Sequence, residues 1–197
     1  MRVIKTGMTM QLMNVIVMNR KMKLLIIISL FIVGCTSNPI WVEPDDYTLT
    51  LEGRLPKKDG VEVYDLTLLR DRVQTVHRIA GSLLSDGEVP YMEQKIQFKS
   101  SHYWSFSPGD TVITIYRRNV DINGRWVVVD SQTVVAPDSM VVPTVNEWSY
   151  TDKLGEFSSM IAPTLWMVGD TMTVEAMWTS RWYQTDTIRK FIRIALH

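Results

Sequence analysis

The sequence is poor in the residues that usually build metal and catalytic centres. Its 197 residues include one cysteine, Cys35, and three histidines, at positions 77, 102 and 197. One cysteine excludes an internal disulfide, and no two histidines have the short spacing of a zinc-binding pair. The nucleophile-elbow, phosphate-loop and H-E-x-x-H motifs are also missing. The sequence therefore predicts neither a cofactor nor a zinc site.

A nucleophile with its base is not evident either. Ser101 and His102 are adjacent, but neighbours on a strand point to opposite faces, which argues against a catalytic pair. Paired carboxylates are the remaining route to an enzyme, since their separation in space is not visible in a sequence. A non-enzymatic protein is therefore predicted, and a hydrolase that uses two carboxylates stays as the alternative.

A hydrophobic run of membrane-spanning length is missing too. The apolar stretch Leu24 to Val33 is broken only by Ser29, and it covers about half of the roughly 20 residues that a spanning helix needs. Three basic residues precede the stretch and Gly34-Cys35 follows it, which is the layout of a cleaved secretory signal. Residues 1–34 are therefore predicted to be a signal peptide.

Around the cut site the sequence resembles the lipobox of bacterial lipoproteins. In Ile32-Val33-Gly34-Cys35 an aliphatic residue, a branched residue and a glycine precede the cysteine, as that motif requires. The resemblance implies cleavage between Gly34 and Cys35, a diacylglyceryl thioether on Cys35 and usually a further acyl chain on the new N-terminus. Several chains anchor a protein firmly, whereas one chain binds a bilayer with a constant of only about 10⁴ M⁻¹.

The residues on either side of the signal refine this prediction. The lead from Met1 to Val17 is longer than a usual n-region, which favours a translation start at Met18 or Met22. Residues 35–46 hold two prolines and three acidic residues, and they are predicted to form the lipidated N-terminus and an extended spacer. Thr36 stands where Gram-negative lipoproteins retained at the inner membrane carry an aspartate. The resemblance therefore implies the outer membrane, and which leaflet faces the domain stays open.

Charge excludes one class of partner. Five of the 21 basic residues precede Cys35 and no acidic residue does, so the chain from Cys35 onward carries 16 basic and 21 acidic residues. Its net charge of −5 lacks the positive footprint that binding to a phosphate backbone requires. Nucleic acid is therefore excluded as a partner. At 163 residues, this part of the chain also has the usual length of one domain with its own core.

Residues 47–197 are predicted to form an all-β domain, a single antiparallel β-sandwich. Tyr47 to Glu52 and Met172 to Thr179 alternate apolar and polar residues, as half-buried antiparallel strands do. The clearest hairpin turn is Asp121 to Arg125. The segment 66–80 also fits helical spacing, with Gly81 as the stop, so both a helix and strands stay open there. Turn residues separate further β-rich runs at about 61–69, 73–79, 94–99, 111–118, 125–135 and 187–195.

Two Gly-Asp-Thr sequences give a second resemblance. Gly109-Asp110-Thr111 and Gly169-Asp170-Thr171 each follow an aromatic residue and lead into a predicted strand. This strand start resembles that of immunoglobulin-like and fibronectin-like sandwiches, which implies the same class of fold. Asp110 and Asp170 are weak candidates for Ca²⁺ ligands in loops at the end of the sandwich. The favoured alternative is structural, since an aspartate after glycine commonly bonds the turn backbone.

Aromatic residues are the main sequence indication of a binding function. Loop aromatics stack on sugar rings or anchor protein partners, whereas single ones often plug the end of a sandwich. The predicted binding residues are Tyr103 and Trp104, in a loop at 100–106, and the pair Trp182-Tyr183. The predicted function is a lipid-anchored envelope module that binds a protein or a glycan, and the alternative is a polysaccharide or peptidoglycan hydrolase. The aromatic side chains in or beside predicted loops are Trp41, Tyr91, His102, Tyr103, Trp104, Trp148, Tyr150, Trp182 and Tyr183.

Overall fold

The computed structural model describes residues 47–58, 60–106, 111–136, 142–180 and 187–197. These residues belong to a unit that spans residues 43–197. The predicted signal, Cys35 and the spacer at 35–46 lie outside the described residues, and so do Asp110, Trp182 and Tyr183. Within the described ranges, no helix has the length and apolar character to cross a membrane.

Strands dominate the described residues, and the one other regular element there is a 3-10 turn at Leu165–Met167. In chain order the strands are β1 (Tyr47–Leu49), β2 (Val63–Leu66), β3 (His77–Ser85), β4 (Val89–Pro90), β5 (Lys95–Ser100), β6 (His102–Phe106), β7 (Val112–Val120), β8 (Trp126–Val135), β9 (Trp148–Tyr150), β10 (Glu156–Ile161), β11 (Thr171–Thr179) and β12 (Thr187–Leu196).

Two sheets pack face to face, which confirms the predicted all-β sandwich. The first sheet has the order β1-β3-β10, with β4 also paired to β3, and the second has the order β2-β12-β11-β5-β9. All of these pairings are antiparallel except the parallel pair of β2 and β12. Phe98 of the second sheet meets Phe157 of the first, with ring centroids 5.8 Å apart. The core therefore lies between the two sheets.

Strand β11 forms the centre of this core, as its sequence pattern predicts. Met172, Val174, Ala176 and Trp178 are at most 1 % exposed. These residues are two apart, so they all point to the same face of the sheet. The opposite face of β11 turns away from the first sheet and carries Glu175.

A third sheet, in the order β6-β7-β8, extends from the second. Ser101 alone separates β5 from β6, so the chain passes directly from one sheet into the other. The β7–β8 hairpin turns at the predicted place, where the Asp121 amide donates to Arg125 O at 2.8 Å. Arg189 of β12 donates to Gly124 O at 2.8 Å, which ties the tip of the hairpin to the second sheet.

The segment 66–80 is not a helix. Strand β2 ends at Leu66, β3 begins at His77, and the residues between them are irregular. Gly81 lies inside β3 rather than at a helix end, and a Cβ atom there would overlap Thr50 O and the Phe157 ring. Close packing around β3, and not helix termination, therefore requires glycine at this position.

Candidate functional site

A cleft of about 630 Å³ lies on the outer face of the second sheet. Strand β5 exposes every second residue, which turns its lysines toward the cleft while Ile96 and Phe98 fill the core. We call this the aromatic cleft, after the residues that dominate its lining. Seven of the lining residues carry an aromatic ring or a positive charge: Lys95, Phe98, Lys99, Tyr103, Trp104, Arg118 and Trp148.

Trp148 offers the most accessible ring of the aromatic cleft. It lies on β9, the edge strand that pairs with β5, and its side chain is 51 % exposed. Tyr150, two residues further on the same face, meets Trp148 edge-on at 5.6 Å between ring centroids. The Lys95 ammonium lies 5.3 Å from the Trp148 centroid, at a distance typical of a cation–π contact. Neighbours therefore hold an indole that still presents much of its surface to solvent.

Trp104 forms a second, more rigid wall. Its ring is half-buried and packs against the core, and its Nε1 donates to Val142 O at 3.1 Å. The Gln74 side chain binds the same residue twice, donating to Val142 O and accepting from Val142 N, each at 2.7 Å. These bonds fix the start of the segment 142–145, which closes one side of the cleft.

The prediction that residues 100–106 form an aromatic loop is wrong. Residues His102–Phe106 form β6, which pairs with β7 so that Tyr103 lies opposite Tyr116. These two rings stack at 4.8 Å between centroids with an interplanar angle of 13°. Pairing fixes the backbone that a loop would leave free. Tyr103 and Trp104, the two predicted binding residues that the structure describes, nevertheless both line the cleft.

Arg118 is held between two aromatic rings. Its guanidinium carbon lies 4.6 Å from the Tyr103 centroid and 5.3 Å from the Trp126 centroid, and its Nε donates to Ser100 O at 2.6 Å. Burial lowers the pKa of Arg118, although Tyr103 and Glu175 nearby offset part of that effect. An arginine keeps its charge under such a shift, so the cleft contains a fixed, oriented cation.

A buried carboxylate lies on the same face of the second sheet as the aromatic cleft. Glu175 is 1 % exposed, and its Oε2 accepts from Trp126 Nε1 at 2.6 Å. Its Oε1 lies 3.5 Å from Arg189 Nη1. Because a buried carboxylate is stable only beside compensating partners, these contacts hold the β7–β8 hairpin, and with it Arg118, against β11.

Ser101 and His102 are in contact, contrary to the sequence argument. Ser101 lies in the break between β5 and β6, where the strand alternation is interrupted, and its Oγ lies 2.9 Å from His102 Nδ1. Ser101 Oγ also accepts from Thr173 N at 2.8 Å, and Ser101 and His102 are 5 % and 4 % exposed. A hydroxyl that is bonded and buried in this way is not placed to attack a substrate.

Asp170, a weak Ca²⁺ candidate by sequence, binds an arginine in the structure. Arg117 Nε donates to Asp170 Oδ2 at 2.8 Å, and Arg117 Nη1 donates to Asp130 Oδ2 at 2.6 Å. His102 Nε2 lies 3.3 Å from the same oxygen of Asp170. The described residues contain no group of three or more histidine, cysteine, aspartate or glutamate side chains that could hold a metal ion. The Asp170 carboxylate therefore links β7 to the start of β11.

The buried His102 predicts an acid-sensitive fold. Burial lowers the pKa of His102, Asp170 offsets this in part, and Arg117 lowers it further. The unfolded chain therefore takes up this proton first, near the ordinary histidine pKa of about 6.5. As pH falls below that value, the free energy of unfolding should fall by up to about 1.4 kcal/mol per pH unit from this group. Urea denaturation between pH 5 and 8 should give a shallower dependence for His102→Gln, and equal slopes for both proteins would contradict the assignment.

A second, smaller cleft of about 370 Å³ borders the first sheet. Its lining includes the carboxylates of Glu52, Asp152 and Glu156 beside the cations Arg54 and Arg78. Asp152 Oδ1 accepts the amides of Leu154 and Glu156 at 2.8 and 2.9 Å, so this carboxylate shapes the turn before β10. Glu52 and Glu156 remain in this cleft as the candidate carboxylate pair for the alternative function.

Comparison with known proteins gives only distant likeness, and that to solved structures. Neither a protein-family model nor a curated protein sequence matches the chain. Among solved structures, the chain is similar to a DUF4466 family protein from Parabacteroides merdae ATCC 43184, with a TM-score of 0.30 and 8 % sequence identity. The similarity covers 75 % of this chain and 42 % of that chain.

Proposed function

We propose that the protein is a bacterial lipoprotein that holds a β-sandwich in the cell envelope and binds a glycan in the aromatic cleft. It acts as a binding module without catalytic activity of its own. The observation that carries the proposal is the half-exposed Trp148 ring on one side of a cleft whose other walls contain Tyr103 and Trp104. Apolar ring faces beside polar groups suit sugars, which present C–H faces and hydroxyls together.

The size of the cleft favours a glycan over a protein partner. Binding sites for small ligands usually measure about 300–1,000 Å³, and the aromatic cleft, at about 630 Å³, lies in the middle of that range. A stable protein complex needs about 800 Å² of surface on each partner. Gln97 and Glu147 also line the cleft and are exposed, and their side chains can bond hydroxyl groups.

The lipid supplies the location of this module. Acylation of Cys35 would attach the chain to a membrane, and Thr36 after it fits the outer membrane. Residues 35–46 would then act as a spacer between the lipid and β1, which starts at Tyr47. A module on such a tether meets envelope polysaccharides at high local concentration.

Trp148→Ala should weaken glycan binding at least tenfold, because it removes the exposed stacking surface. It should change the free energy of unfolding by less than about 1 kcal/mol, as expected for a half-exposed side chain. Affinity electrophoresis in gels that contain single polysaccharides measures the first effect, and urea denaturation measures the second. Trp104→Ala is a poorer probe, since its partly buried ring packs on the core.

Phe191→Ala is the matched control, because Phe191 is 41 % exposed on β12 and does not line the cleft. It should retard in the gels as the wild-type protein does. If the wild-type protein binds a glycan and the Trp148→Ala variant binds it equally tightly, the site lies elsewhere. A wild-type protein that binds no member of a broad panel of neutral and acidic polysaccharides would remove the proposal.

The alternative, an envelope hydrolase, has one observation in its favour. The second cleft brings Glu52 and Glu156 to one lining, and glycosidases use two carboxylates that flank the scissile bond. If the protein releases reducing ends from a polysaccharide, Glu52→Gln or Glu156→Gln should abolish that release while Trp148→Ala retains part of it. If no polysaccharide of the panel yields product, the hydrolase alternative is rejected and the binding module is the remaining proposal.

A further inference from the structure

We infer that the aromatic cleft selects glycans that carry carboxylate or sulfate groups. The inference rests on the proposed glycan binding and adds the chemical class of the ligand. Three cations, Lys95, Lys99 and Arg118, line the cleft, and Glu147 is the one acidic residue among its lining residues. The chain from Cys35 onward carries 16 basic and 21 acidic residues. The lining of the cleft is therefore net positive, whereas this part of the chain as a whole is net negative.

Lys99 is the cation most available to a ligand. Its side chain is exposed, and it has no ion pair among the described residues. In the register of β5 and β11 it lies opposite Glu175, but that carboxylate is buried and accepts from Trp126 Nε1 at 2.6 Å. Glu175 is thus already engaged beneath the surface, and the Lys99 ammonium remains free to meet an anion from solvent.

The other two cations are placed beside stacking surfaces. The Lys95 ammonium lies 5.3 Å from the Trp148 centroid, and the Arg118 guanidinium lies 4.6 Å from the Tyr103 centroid. The Tyr103 ring already stacks on Tyr116 and contacts Arg118, whereas Trp148 is half-exposed. A sugar ring that stacks on Trp148 would bring its substituents next to the Lys95 ammonium. An acidic substituent would gain a charge-assisted hydrogen bond there, whereas a hydroxyl would gain only a neutral one.

The spacing of the lysines fits a ligand with more than one charge. Lys95 and Lys99 are four residues apart on the same face of β5, which is about 13 Å along an extended strand. That distance exceeds the Debye length of about 10 Å at 0.1 M salt, so each lysine attracts an anion nearly independently. An acidic polysaccharide segment can satisfy both lysines, whereas a single small anion can satisfy only one.

Two matched pairs of probes test the inference on the full-length protein extracted in detergent. The first pair is de-esterified and fully methyl-esterified oligogalacturonide of equal length, and the second is dextran sulfate and dextran. Within at least one pair, calorimetry at 50 mM salt should show at least tenfold tighter binding of the charged member. Raising the salt to 500 mM should remove most of that difference, because screening weakens exposed charge pairs.

Substitutions locate the effect. Lys99→Gln should weaken binding of the charged probe about tenfold and leave binding of its uncharged partner unchanged. Lys190→Gln, an exposed lysine on β12 outside the cleft, should change neither. Equal affinity within both pairs would overturn the selection for acidic glycans and leave glycan binding intact. Equal losses from Lys99→Gln and Lys190→Gln would overturn the inference as non-specific charge attraction. Binding to no member of either pair would also overturn the inference, whereas glycan binding itself is decided by the broad panel of polysaccharides.

Discussion

Cys35→Ser is expected to abolish acylation and to leave the signal uncut. The thiol of Cys35 is the one cysteine sulfur in the chain, and a serine hydroxyl is a much weaker nucleophile at neutral pH. Cells fed a labelled fatty acid should incorporate it into the wild-type protein and not into the variant. On a gel, the variant should run as a longer precursor.

Gly34→Ala is the matched control for this experiment, because the lipobox accepts either glycine or alanine before the cysteine. It should be cut and labelled as the wild-type protein is. Label in the Cys35→Ser protein, or a free sulfhydryl at position 35 in wild-type protein recovered from membranes, would contradict the lipoprotein assignment.

Trp178→Ala should cause the largest loss of stability of any substitution considered for the sandwich. Trp178 is 1 % exposed, and its ring centroid lies 4.7 Å from that of Tyr47 and 5.7 Å from that of Tyr91. Its Nε1 donates to Gln94 Oε1 at 3.3 Å, so truncation leaves both a cavity and an unpaired amide oxygen. Such changes cost about 3–5 kcal/mol, out of the roughly 5–15 kcal/mol that stabilises a typical domain.

Chemical denaturation measures this loss, and Trp178→Phe should lose less because it keeps most of the apolar volume. Trp148→Ala is the exposed comparison and should stay within about 1 kcal/mol of the wild-type protein. A change below about 1 kcal/mol for Trp178→Ala would show that this ring is not part of a packed core.

Period-two alternation identifies those strands whose inward residues are all apolar. Strand β11 is the clearest case, since Met172, Val174, Ala176 and Trp178 are all buried. Strand β10 cannot be recognised from this alternation, because one of its inward residues is a serine. Ser159 is only 3 % exposed, but it interrupts the apolar pattern. Strand β9 has only three residues, too few to establish a period.

Segment 66–80 shows where local sequence leaves two readings open. Leu66, Leu69, Val73, Val76 and Ala80 fit one face of a helix, and Gly81 fits its end. The contacts that decide the structure come from distant parts of the chain, since the Phe157 ring and the Thr50 carbonyl oxygen pack on Gly81. Tertiary packing of this kind leaves no signal within the segment itself.

Part of the candidate site can likewise be predicted from the sequence, and part depends on contacts that only the fold reveals. The sequence selects Tyr103 and Trp104 as aromatic residues of a predicted loop, although that segment is strand β6, whereas the lysines of β5 look like an ordinary solvent-facing row. The antiparallel pairing of β9 with β5, which sets Trp148 opposite Gln97, creates the cleft, and this pairing is not readable before the fold is known. The contact of Ser101 with His102 likewise depends on the break between β5 and β6.

Central to this account is that a glycan binds in the aromatic cleft, which Trp104 and Trp148 both line. The protein contains seven tryptophans, and each indole N–H gives its own signal in a two-dimensional NMR spectrum. Titration of the detergent-solubilised protein with its best-binding oligosaccharide should shift the Trp148 and Trp104 indole signals, while that of Trp178, buried in the core, stays in place. Saturable shifts confined to other tryptophans, with those of Trp104 and Trp148 unchanged, would contradict the account.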